Sequence, residues 1–140
     1  MTPQRILIAD RNSTIRSQMA ASFVRSGYEV ETTSSAADVI NKVMQKETCL
    51  VLLGDEFNEC VPVTELVGIL RKCSQDLNII LIADEVSPSQ ERCVRKEGIF
   101  YHALKPVCTE DTDEIRLAVE CAFNSAANAC SYVHNNYQLN

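Results

Sequence analysis

Five short apolar runs, each followed by a stretch whose apolar residues recur at helical spacing, limit the folds open to this chain more than any other feature. Arg5-Ile-Leu-Ile-Ala9 reads as a strand, stopped by Asp10-Arg11-Asn12-Ser13; Ile15, Met19, Phe23 and Val24 then mark a helix that Gly27 closes. Tyr28 to Thr33 is a second, more polar strand suited to a sheet edge. Ser35 with Asp38 forms a cap ahead of Val39, Ile40, Val43 and Met44 on one helical face. Cys49-Leu-Val-Leu-Leu53 is apolar throughout, as strands covered on both faces are. A loop from Gly54 to Pro62 leads to a helix carrying Val63, Leu66, Val67 and Leu70. Asn78-Ile-Ile-Leu-Ile82 is the fourth strand. Ser87-Pro88-Ser89-Gln90 supplies an N-cap, a proline at N1 and a glutamine at N3 for a helix ending at Gly98. Ile99 to Leu104 is the fifth strand, halted by Lys105-Pro106. Asp111 with Glu114 caps a last helix striped by Ile115, Ala118, Val119, Ala122 and Phe123.

Strand and helix thus alternate five times, the (βα)5 pattern of an α/β domain. Right-handed crossovers and short loops make this a doubly wound five-stranded parallel sheet with helices on both faces. The 140 residues suffice for one such core. Residues 5–129 form the expected domain and 130–140 a polar tail.

A net charge of −6 and a pI of about 4.9 argue against a nucleic-acid-binding role for this domain. No apolar run reaches the roughly 20 residues a membrane helix needs. The N-terminus runs straight into a strand without the apolar segment of a secretory leader, so the expected setting is cytoplasmic, away from membranes. Seven cysteines lie at least nine residues apart, with no C-x-x-C pair, and neither histidine falls at zinc-site spacing. They are expected to be reduced thiols; Cys73, Cys93 and Cys121, on helices, would serve as small hydrophobes.

Ligands of doubly wound sheets sit beyond the carboxyl ends of the strands, at the point where the strand order reverses. The residues placed there are Asp10-Arg11, Gly54-Asp55-Glu56, Ala83-Asp84-Glu85 and Lys105-Pro106. Carboxylates after strands one and three suit a hard divalent cation such as Mg2+, completed by water and phosphate oxygens. A lysine after strand five can neutralise a phosphoryl oxygen. An aspartate can itself be the nucleophile toward a phosphoryl donor, giving an acyl phosphate.

From Arg5 to Phe123 the chain resembles the receiver domain of two-component response regulators, in an atypical variant. The resemblance rests on Ile6-Leu-Ile-Ala-Asp10 with Asn12-Ser-Thr-Ile-Arg16, on Leu50-Val-Leu-Leu-Gly-Asp55, on Ile79-Ile-Leu-Ile-Ala83, on Gly98 and on Lys105-Pro106. It implies a flavodoxin-like fold and a non-enzymatic signalling role. Asp55 would be the phosphoacceptor, Asp10 and Asp55 the acids of a Mg2+ site, and Lys105 the lysine on the phosphoryl oxygens, ahead of a cis Lys-Pro bond. The implied partners are a histidine kinase or phosphotransfer protein and a downstream protein target. The family's switch, a hydroxyl ending strand four and an aromatic on strand five, falls on Ala83 and His102, with Tyr101 adjacent. It relays to the surface formed by helix four, strand five and helix five.

Three departures matter. Arg11 stands where the family has a second acid, Ala83 where it has a hydroxyl, and His102 where it has an aromatic. The ungapped spacing from Asp55 through Glu65 and Leu66 to Arg71 sets the acceptor on Asp55; a slip by one would leave Gly54 there and no acceptor. Arg11 is expected to pair with Asp55, depressing its pKa and making the Mg2+ site weak or absent. The competing outcome swings it outward and leaves Asp10 with Asp55 or Glu56 to hold a metal. The plain alternatives are a solvated loop acid at 55, a capping role for Asp10, a surface lysine at 105 and a half-buried strand residue at His102. The loop Glu56-Phe57-Asn58-Glu59 is expected to be solvated.

Two other classes stand beside a phosphoacceptor. One is a pseudo-receiver, a protein-interaction module that works without phosphorylation. The other is an enzyme or cofactor binder on the same scaffold, disfavoured because no glycine-rich loop follows strand one and no nucleophile elbow occurs.

Overall fold

In the computed structural model, which describes residues 4–84, 87–106 and 109–127, each apolar run becomes a strand of one parallel sheet. The elements are β1 (Arg5–Ala9), α1 (Ser13–Arg25), β2 (Glu29–Thr33), α2 (Ala36–Met44), β3 (Leu50–Leu53), α3 (Val63–Cys73), β4 (Asn78–Ile82), α4 (Pro88–Glu97), β5 (Tyr101–Ala103) and α5 (Thr109–Ala127). The strand order is β2-β1-β3-β4-β5, every neighbouring pair parallel. The order reverses between β1 and β3, so the crevice of the fold opens beyond Ala9 and Leu53. The expected α/β architecture is therefore the observed one.

Because side chains alternate along a strand, the sheet has two cores. Leu7, Ala9, Val51, Leu53, Ile79, Leu81 and Ala83 face α2, α3 and α4, meeting Val39, Val43, Leu66, Val67, Leu70 and Val94. Ile6, Ile8, Leu50, Leu52, Ile80, Ile82 and Ala103 face α1 and α5, meeting Met19, Phe23, Ile115, Val119 and Ala122. Tyr28 closes one side of the second core, its ring 5.5 Å from Phe123 and 5.7 Å from Phe23. Phe123 itself is buried there.

Several boundaries follow from side-chain chemistry. Asn12 caps α1 by accepting from the Ile15 amide, and Gly27 ends its exit with φ +94°. Ser87 and Gln90 form the expected capping box of α4, with Pro88 at N1. Other expectations need correction. Val24 and Met44 are exposed, because the buried stripes of α1 and α2 are narrower than their apolar faces. β5 is shorter than the run from Ile99 to Leu104: Ile99 and Phe100 pack against the two cores before the ladder begins. α5 begins at Thr109, which places Asp111 in its first turn. Cys93 and Cys121 are exposed, and of the three helical cysteines only Cys73 packs on a core. Among the described residues no cysteine is in a disulfide. The tail 130–140 lies outside the described residues, as do Glu85 and Cys108.

Arg71, near the end of α3, ties three elements together. Its Nη1 donates to the carbonyls of Gln75 at 2.9 Å and Leu77 at 2.8 Å, and its Nη2 donates to the carbonyl of Gly98 at the end of α4. Burial pulls its pKa down, opposed by Asp76. The clamp matters because α4 is strongly polar and buries only Val94.

Candidate functional site

β1 and β3 end side by side, Ala9 level with Leu53, so the residues that follow them share the crevice. Asp10 is 1% exposed. Its Oδ1 accepts from the Asn12 amide at 2.9 Å, and its backbone carbonyl accepts from Arg16 Nη1 at 2.7 Å. Its Oδ2 is buried with no hydrogen-bond partner among the described residues. Gly54 makes room for this carboxylate: a Cβ at 54 would lie 2.6 Å from Asp10 Cγ. That contact explains a glycine immediately before the acid.

Asp55 lies at the mouth of the crevice, its side chain 26% exposed, with Lys105 Nζ 2.8 Å from Oδ1. The Lys105 backbone amide donates to Asp84 Oδ1 at 2.7 Å, which fixes the chain leaving β5. Burial lowers the Lys105 pKa, but the hydrogen bond and charge of Asp55, reinforced by Asp10 and Glu56, outweigh it and raise the value. Asp10 is raised chiefly by burial, against the pull of the Asn12 amide and Lys105.

That shift carries a stability consequence. A carboxyl whose folded pKa exceeds its unfolded value costs stability at neutral pH, and the cost fades as the pH falls through the raised value to about 3.8. Asp10→Asn is expected to stabilise the fold at pH 7 by about 1 kcal/mol. In urea titrations the gain should shrink on acidification; an equal or less stable variant at pH 7 would show that the buried charge is fully compensated.

The structure corrects two expectations here. Arg11 is exposed, and its side chain makes no ion pair among the described residues. Lys105, and not Arg11, is the cation beside Asp55, and a second cation there would meet repulsion. The Lys105–Pro106 bond is trans, the isomer that X-Pro bonds prefer by about 0.5–1 kcal/mol.

The loop after Asp55 is solvated only in part: Glu56 and Asn58 are exposed as expected, whereas Phe57 is buried and Glu59 half-buried, and all four have partners outside the loop. The Glu56 carbonyl accepts from the Arg11 amide at 2.9 Å. Phe57 is 4% exposed and joins the α2–α3–α4 core. The Asn58 amide donates to the Ser34 carbonyl at 2.9 Å, and its Nδ2 donates to Ser34 Oγ at 2.9 Å. Glu59 accepts from Ser35 Oγ at 2.7 Å and from the amides of Ala36 at 2.7 Å and Ala37 at 3.0 Å, capping α2 from a distant loop. Neither Asn58 nor Glu59 is recognisable from local sequence. The one local signal was the Ser35 cap, which also binds the Asp38 amide at 3.2 Å.

The cap holds the Glu59 pKa at about 2, chiefly through the Ser35 hydroxyl and then the Ala37 and Ala36 amides. A depressed carboxyl stabilises the fold fully above its unfolded value of about 4.5 and loses that contribution as the pH falls toward 2. Thermal melts at stepped pH should therefore show a shallower acid limb for Glu59→Gln than for wild type. Parallel limbs would refute the assignment.

The remaining candidates lie around β4 and β5. Ala83 is fully buried at the end of β4. His102, half-buried, donates from Nε2 to the Ala83 carbonyl at 2.9 Å. Tyr101 is 39% exposed, and its pKa is raised by burial and by the neighbouring Glu114. The site thus unites Asp10, Gly54, Asp55 and Lys105, with Asp84 behind, while His102 and Ala83 bind one another beside it.

Asp10 and Asp55 bring two carboxylates to the crevice, a donor set that suits a hydrated Mg2+ completed by water and phosphate oxygens and not a closed all-protein cage. Among the described residues no three His, Cys, Asp or Glu side chains group to hold a metal ion. Asp10 Oδ2 is a free acceptor, but Asp55 Oδ1 already faces an ammonium.

Solved structures share this architecture. A CheY-like response regulator receiver domain protein from Methanospirillum hungatei JF-1 superposes with a TM-score of 0.80 at 21% identity, covering 91% of this chain and all of that one. A response regulator receiver domain protein from Clostridium thermocellum gives 0.79 at 19%, over 91% and 99% of the two chains. The chemotaxis response regulator CheY4 of Vibrio cholerae gives 0.72 at 19%, over 84% and 99%. No protein-family model and no curated protein matches the chain. The chain has the fold of a response-regulator receiver domain, the flavodoxin-like (βα)5 sheet. No helix among the described residues is long and apolar enough to cross a membrane.

Proposed function

We propose that this chain is a receiver-type signalling module in which Asp55 accepts a phosphoryl group from a histidine kinase or phosphotransfer protein and which signals by protein contacts in the cytoplasm. The observation that carries the reading is the Lys105 ammonium 2.8 Å from Asp55 Oδ1 at the switch point of the sheet. In the transfer, an Asp55 carboxylate oxygen attacks phosphorus and the phosphorus–nitrogen bond of the donor breaks. The electron pair leaves with the imidazole, which takes a proton from solvent. Lys105 then moves its charge from the carboxylate to a phosphoryl oxygen.

A pseudo-receiver has observations of its own in its favour. Arg11 replaces the second acid, Ala83 offers no hydroxyl, and His102 is already bonded to the Ala83 carbonyl without any phosphoryl group. A phosphoryl group that makes no different contacts in two states shifts no equilibrium between them.

Amide NMR titration with beryllofluoride, a phosphoryl mimic, separates the readings. It would be run with and without Mg2+ on wild type, Asp55→Asn and Lys105→Met. Saturable shifts around residues 54–59, abolished in Asp55→Asn and weakened in Lys105→Met, are expected of a phosphoacceptor. Absence of shifts in wild type under every condition would overturn it in favour of the pseudo-receiver.

A further inference from the structure

We propose that Glu59 is a positioning residue for the Asp55 pocket and that α2, tied to the pocket through it, is the element coupled to Asp55. The inference rests on the phosphoacceptor reading for its binding readout. It stands on the geometry of the loop for the rest.

The loop from Asp55 to Glu59 has no secondary structure of its own, yet each residue after the acid has a partner outside it. Phe57 is sunk in the core beneath it. Asn58 makes two hydrogen bonds to Ser34, and Glu59 makes three to Ser35, Ala36 and Ala37. All five bonds end on the turn into α2 and its first residues. The loop and the start of α2 therefore move as one body. Its other end is Asp55, whose only ion-pair partner among the described residues, Lys105, arrives from β5.

A carboxylate suits this task for two reasons. It presents two oxygens, which here take three donors, and its charge complements the positive end of the helix. An amide at 59 keeps the shape, loses the charge and replaces one acceptor by a donor facing helix N–H groups. The other route out of the pocket is closed down: Ala83 carries no hydroxyl, and His102 is committed to its carbonyl. Strain arriving at Asp55 thus has a bonded path to α2 and none through a β4 hydroxyl.

The test compares wild type, Glu59→Gln and Ser87→Ala. The last removes a helix cap of similar kind from α4, whose hydrogen bonds stay within residues 87–90. Three quantities are read: beryllofluoride affinity and, in the free protein, the amide exchange of residues 55–58 and the Lys105 ammonium resonance. Glu59→Gln is expected to weaken beryllofluoride affinity between about tenfold and a hundredfold. It should also speed exchange at 56–58 and shift the Lys105 resonance, with Ser87→Ala like wild type in all three. If wild type binds no beryllofluoride, the phosphoacceptor reading fails and the two free-protein readouts still decide the coupling. Equal effects in the two variants, or effects of Glu59→Gln confined to residues 34–38 and 59, would overturn the proposal.

Discussion

Gly54→Val is expected to unfold about 3 kcal/mol more easily than wild type and to lose the Asp55 pocket with it. The cause is local. A Cβ at 54 would lie 2.6 Å from Cγ and 3.1 Å from Cβ of Asp10. Asp10 has little freedom to withdraw, since Oδ1 is held by the Asn12 amide and the residue's carbonyl by Arg16. Nor can the strand end shift, because the Gly54 amide donates to the Ala9 carbonyl at 2.7 Å. Urea unfolding should show a lower midpoint at unchanged slope, and a melting temperature lower by roughly 10 °C. Gly54→Ala should fall between the two. A valine variant within 0.5 kcal/mol of wild type, taking about that as the ordinary surface scatter, would show that the crevice yields easily.

Arg71→Met is the second large effect, expected to cost about 3 kcal/mol. Methionine fills most of the volume but leaves the carbonyls of Gln75, Leu77 and Gly98 without their donor. The loss should be uneven. α4 is held by Val94 and by the end that Arg71 fastens, so its amides should approach free exchange while β1 and β3 remain protected. Hydrogen exchange followed residue by residue distinguishes this from a uniform loss, which would mean that the clamp serves the whole fold equally.

The strands were legible because a parallel sheet covered on both faces needs uninterrupted apolar runs; Leu50–Leu53 and Ile79–Ile82 are of this kind. Capping residues were legible for the same local reason, as Ser87 with Gln90 shows. Spacing also placed Asp10, Asp55 and Lys105 at one edge, since strand ends in this topology converge. Electrostatic partnership was not legible. Arg11 adjoins Asp10 in the chain, yet Lys105, 50 positions from Asp55, takes the carboxylate. The polar stretch Glu56 to Glu59 looked like open loop because its partners are on α2, as far as 24 residues away. Sequence reading finds residues whose roles depend on their neighbours along the chain, and it misses those whose roles depend on where the chain returns.

The strand order also dictates when the pocket gains its cation during synthesis. β1 is flanked by β2 and β3, and β4 pairs with β3, so a nascent chain that has emerged only through β4 can build most of the sheet. Without β5 the crevice holds the carboxylates of Asp10 and Asp55 but lacks the Lys105 ammonium. Lys105 is delivered by β5, a three-residue edge strand and the last of the five in chain order. Docking of that strand therefore adds the Lys105–Asp55 ion pair to the apolar burial it brings, so the acidic crevice favours closure of the C-terminal edge.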